Sequence, residues 1–108
     1  MNRFQTLDVA LEFVRVLRPA VERIARRDKD LASQIKRAAS SVPLCISEGA
    51  QRVGKDRFHL YRVAAGSAAE VRAALGVATA WGYIDDADVH EVLELLDRVI
   101  AMLWKLTH

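Results

Sequence analysis

Apolar residues recur along this chain in four stretches whose spacing is helical. Leu7, Ala10, Val14, Leu17, Val21 and Ile24 alternate steps of three and four, which places them on one face of a helix from about Leu7 to Arg27. Val9, Phe13, Val16 and Ala20 repeat the rhythm on a neighbouring face. Pro19 lies inside the pattern, where it removes a backbone hydrogen bond. A kink near Arg15–Arg18, or a break just before the proline, is expected. The polar run Arg26-Arg27-Asp28-Lys29-Asp30 closes the element.

The second helix is expected to start near Asp30, a good N-cap, with Leu31, Ile35, Ala38, Val42 and Ile46 as its stripe. Pro43 predicts another kink, and Gly49 a C-terminal end before the turn Gln51–Gly54. The third runs from about Lys55 to Trp81, with Phe58, Tyr61, Ala65, Ala68, Val71, Leu75 and Ala78 facing inward. The fourth opens on Asp85, Asp86 and Asp88, acids that suit the positive end of a helix dipole. Its stripe is Val89, Val92, Leu93, Leu96, Val99, Leu103 and Leu106, widened by Leu95, Ile100, Met102 and Trp104.

Short connections make successive helices antiparallel. The expected fold is therefore all-α: a single-domain, up-down four-helix bundle spanning residues 1–108, with proline kinks in its first two helices. A second apolar row on helix 1 and the wide face of helix 4 exceed what one small core should hide. That excess predicts a homo-oligomer. Extra core width or scattered exposed side chains would explain the same rows without assembly.

Composition changes this picture little. The chain has 108 residues, enough for one core without metal or disulfide support. Cys45 is the one cysteine, so no intrachain disulfide can form. The longest uncharged run, between Arg72 and Asp85, is too short to cross a bilayer. These features suggest a cytoplasmic protein with no membrane partner.

Charge adds more. Fourteen Lys/Arg stand against eight Asp/Glu up to Leu75, and two against six from Gly76 onward. Solvated helix faces account for this. A basic surface for an acidic partner accounts for it too. On the second reading the nucleic-acid contact candidates are Arg15, Arg18, Arg23, Arg26, Arg27, Arg52, Lys55 and Arg57.

Catalytic, metal and cofactor motifs are missing from the pattern. There is no Gly-rich phosphate loop, no zinc spacing and no nucleophile elbow. His59, His90 and His108 form no i, i+4 pair, and Cys45 reads as a small core residue. No catalytic residue, metal or cofactor is expected, and so no enzyme. Helices 2 and 3 do carry polar residues among apolar ones. If their hairpin turns at Arg52, residues equidistant from it face each other, setting Gln34 and Arg37 beside Glu70 and Ser67, and Ala38 beside Gly66. A partly buried Arg37–Glu70 pair with a structural role is predicted. Glu48 pairs with Arg52 one turn on, or with Arg57, Arg62 or another subunit.

The runs Ser33–Pro43, Ile46-Ser47-Glu48-Gly49 and Ala65–Glu70, in that order, resemble the four-helix-bundle family first known from intervening sequences in bacterial 23S ribosomal RNA genes. The resemblance spans about Leu7 to Leu103. Gln34, Arg37, Ser41, Pro43, Glu48, Gly49, Gly66, Ser67 and Glu70 match recurrent family positions. After Pro43 the chain reads Leu44-Cys45, where the family usually has Asn. The family is similar in fold to the accessory variability protein of diversity-generating retroelements, a ring-like pentamer with a basic surface that works with a reverse transcriptase and nucleic acid. The resemblance thus implies a non-enzymatic homo-oligomeric scaffold or adaptor, a pentamer by analogy, in contact with DNA, RNA or a nucleic-acid enzyme. A purely structural protein–protein assembly is the alternative.

Overall fold

The computed structural model describes residues 3–108. Four helices account for nearly all of them: α1 (Arg3–Ala25), α2 (Lys29–Ala50), α3 (Gly54–Ala80) and α4 (Asp86–Thr107). Each packs on its neighbours in sequence, and α4 closes the ring on α1. This leaves α1/α3 and α2/α4 as the diagonals of an up-down bundle about 42 Å long.

Two of the helix starts are capped by carboxylates. Asp28, rather than Asp30, caps α2 by accepting the Leu31 N–H at 3.0 Å. Asp85 and Asp88 form a reciprocal capping box on α4, as the run of acids suggested. Gly54 at the start of α3 and Gly82 just past its end lie in the left-handed region, which glycine enters without a Cβ clash. Both α1 and α2 run unbroken through Pro19 and Pro43, so no break precedes Pro19.

The core draws one residue or two from most turns. On α1 it takes Ala10, Phe13, Leu17, Ala20 and Ile24, a stripe that mixes the two rows read from the sequence. Leu7, Val9, Val14, Val16 and Val21 flank it, half-buried. On α4, Met102 is buried and Trp104 is not. Phe13 and Met102 therefore need no second subunit to cover them, because a four-sided bundle buries a wider arc of each helix than a single stripe. Phe58, expected inside, is exposed near the start of α3, and the buried face there begins at Tyr61.

Candidate functional site

Several of the recurrent polar positions lie on α2 and α3, and Arg37, Ser41 and Cys45 line a shallow groove along α2. The Ser67 hydroxyl of α3 donates to the Ser41 hydroxyl at 3.0 Å, and Ser41 lies 3.6 Å from the Cys45 thiol. Cys45 is only half-buried, so it is a groove residue more than a core one. Gln34, Arg37, Glu48 and Glu70 are exposed, and Gly66 lies open on α3. Among the described residues no histidine or carboxylate hydrogen-bonds to the Ser41–Ser67–Cys45 chain. A nucleophile there has no base beside it.

The register differs from that inferred from the turn. Ser41 faces Ser67 and Gly49 faces Tyr61, so the hairpin is centred on about Gly54, not Arg52. Each facing residue moves by about one helical turn. The cause is visible at the turn: the first turn of α3 overhangs the end of α2, and Arg57 reaches back to donate to the Gly49 and Ala50 carbonyls at 3.2 and 3.4 Å. Gly66 therefore meets nothing within 4 Å of where a Cβ would sit, and the expected close approach to Ala38 does not occur. The close approach is at Gly49, whose Cβ would come to 2.7 Å from the Tyr61 ring. Arg37 and Glu70 come to nearly the same level, yet both are exposed and neither makes an ion pair or side-chain hydrogen bond among the described residues. The buried pair read from the sequence is not formed. Glu48 takes its nearest option, Arg52 at 3.1 Å.

The eight basic candidates are not brought together. Arg23, Arg26 and Arg27 lie at one end of the bundle, and Arg52, Lys55 and Arg57 at the other. Several are engaged: Arg15 with Glu12, Arg18 with Glu22, Arg23 with Asp88, and Arg57 with α2 carbonyls. Arg27 lies over the Tyr83 ring, 5.7 Å from its centroid, and Tyr83 stacks with the exposed Trp81. The Tyr83 hydroxyl donates to Asp28 at 3.3 Å. Partial burial first, and then the Asp28 carboxylate, push its pKa up. Asp88 is held below the usual carboxylate range, chiefly by the Asp85 backbone N–H and then by Arg23 at 2.7 Å.

One basic cleft was missed by reading helices singly. Arg15 and Arg18 of α1 and Lys36 of α2 line a cleft of about 530 Å³ between the two helices, with Glu22 and Ser40. Arg37 is next to Lys36 on the outer face of α2. Only the pairing of α1 with α2 reveals this cluster, because Lys36 is distant in sequence from Arg15 and Arg18. No group of three or more His, Cys, Asp or Glu among the described residues could hold a metal. No helix among them is long and apolar enough to cross a membrane.

The sequence profile described as 23S rRNA-intervening sequence protein matches residues 5–105. The chain belongs to that family. A crystal structure of a protein of unknown function from the S23 ribosomal protein family of Bacteroides thetaiotaomicron superposes with a TM-score of 0.84. It is 21% identical, and the match covers 94% of this chain and 97% of that one. At that identity the likeness establishes the family's bundle fold. Among curated proteins none matches the chain.

Proposed function

We propose that this family member is a non-enzymatic scaffold or adaptor that assembles with copies of itself. The observation that carries the reading is the apolar surface left over once the core is full. Leu44, Val53, Trp81 and Trp104 remain 67%, 79%, 69% and 60% exposed. Exposed apolar side chains mark an interaction site where they join into a contiguous patch, and a neighbouring copy would cover the ones that do. The resemblance suggests five subunits, and two is the commonest number for a closed assembly. Sedimentation equilibrium at micromolar concentration tests the reading. A mass that is a multiple of 12.1 kDa supports it, and a mass of 12.1 kDa overturns it.

A second reading adds contact with DNA or RNA, and the α1/α2 cleft favours it. Arg15 and Arg18 are held only by exposed intrahelical pairs, worth about 0–1 kcal/mol, which a phosphate can displace. Lys36 makes no ion pair among the described residues. Binding through these groups is phosphate-driven and falls steeply with salt. Retention of single- or double-stranded nucleic acid at low ionic strength, lost in an Arg15→Ala/Arg18→Ala/Lys36→Ala variant, supports the cleft. No retention leaves a purely protein–protein assembly. The lone cysteine and the lack of a long apolar run suit action in the cytoplasm, for either reading.

A further inference from the structure

We infer that the cleft between α1 and α2 is a docking groove for an acidic amphipathic helix of a partner protein. The inference rests on the adaptor reading and names the chemistry of what the adaptor holds.

The cleft has two layers. Leu17 and Ala39 are buried and Val14 and Val21 half-buried, so its deeper surface is apolar. Arg15, Arg18 and Lys36 stand exposed above them. The layering follows from spacing. Val14, Leu17 and Val21 recur at i, i+3 and i+7, and Arg15, Arg18 and Glu22 repeat the same steps one residue later. An apolar row and a charged row therefore run side by side along α1 for two turns, about 10 Å. On the α2 side Ala39 contributes only a methyl, which helps leave about 530 Å³ open between the helices.

The cations of this rim outnumber the acids near them. Between Asp30 and Glu48 α2 carries no carboxylate. Lys36, and Arg37 beside it, make no ion pair among the described residues. Arg15 and Arg18 hold only exposed partners on their own helix. Glu22 is the one acid among the residues lining the cleft.

An occupant has to answer both layers. A phosphate backbone pairs with the cations but offers no apolar ridge to cover Val14 and Val21. A helix with apolar residues at i, i+4 and i+7 and Asp or Glu on its flanks fills the slot and pairs with the rim, as helix-in-groove recognition requires. Burial of the ridge supplies affinity, and the rim charges select the partner and speed the encounter.

Fluorescence anisotropy with synthetic stapled helices tests the groove on the whole chain. The probe helix carries Leu at i, i+4 and i+7, flanked by Glu. One control has Lys in place of Glu, and the other has Ser in place of Leu. The probe should bind roughly tenfold or more tightly than either control. Arg18→Glu/Lys36→Glu should reverse the choice between the Glu and Lys helices with circular dichroism unchanged, a swap that a folding defect cannot produce. Equal binding of the probe and either control, or no binding at submillimolar protein, overturns the groove and leaves self-assembly, read by mass, standing. Nucleic acid that the cleft retains and the probe does not displace overturns the helix in favour of phosphate. A wild-type assembly that Arg18→Glu/Lys36→Glu dissociates places a second copy in the cleft and likewise overturns the partner.

Discussion

Gly49 and Tyr61 show how much a single contact can decide. Tyr61 is 2% exposed and Gly49 is buried against its ring. Gly49→Ala gains helix propensity worth about 1 kcal/mol but forces a methyl into a ring with no free path to swing away. Overpacking of this kind costs about 1–3 kcal/mol, so urea unfolding should show a net loss. An unchanged or raised midpoint would mean that the ring relocates. The Tyr61 hydroxyl is buried and makes no hydrogen bond among the described residues. Tyr61→Phe removes that unsatisfied group, and thermal melting should show equal or higher stability, by up to about 1 kcal/mol.

At the scale of the elements, register and capping carry the consequences. Glu70 lies on the solvent side of α3 although the observed register brings it nearly level with Arg37, and Glu70→Ala should alter monomer stability by no more than about 0.5 kcal/mol. A loss of several kcal/mol would indicate the buried pair with Arg37 after all. At the start of α4, Asp88 is depressed by the Asp85 N–H and by Arg23. Its folded pKa lies below its unfolded value, so the stability it contributes is present above about pH 4 and lost as pH falls through the folded pKa. Melting temperatures measured from roughly pH 6 down to pH 2 should therefore fall more steeply for the wild type than for Asp88→Asn. Parallel curves would remove Asp88 from the acid response.

For the molecule as a whole, self-assembly links stability to concentration. A partner that binds only the folded chain raises the melting temperature by mass action. Melting at increasing protein concentration should shift upward for the wild type. A flat wild-type series would count against assembly. The charge asymmetry of the chain acts at this scale too. The basic excess before Gly76 spreads over both ends of the bundle and the α1/α2 cleft, so it is not one continuous patch.

The bundle was legible in one dimension because helical periodicity is local. Every core stripe repeats at steps of three and four, and the acids at Asp85 and Asp88 announce a helix start by their own chemistry. The polar positions were legible as a set of residues, since Ser41, Ser67, Gln34 and Glu70 interrupt apolar stretches. How those residues meet was not. Facing pairs depend on where α3 begins to climb back past α2, which the Arg57 reach to two carbonyls accommodates and no spacing reveals. Burial of Phe13 and Met102 likewise depends on the arc that two flanking helices cover. Local chemistry determined which helices form and where they stop. Only the packing of α2 against α3 decided that Arg37 and Glu70 remain in water, because the faces two rigid helices turn toward each other are a property of their contact and not of either sequence.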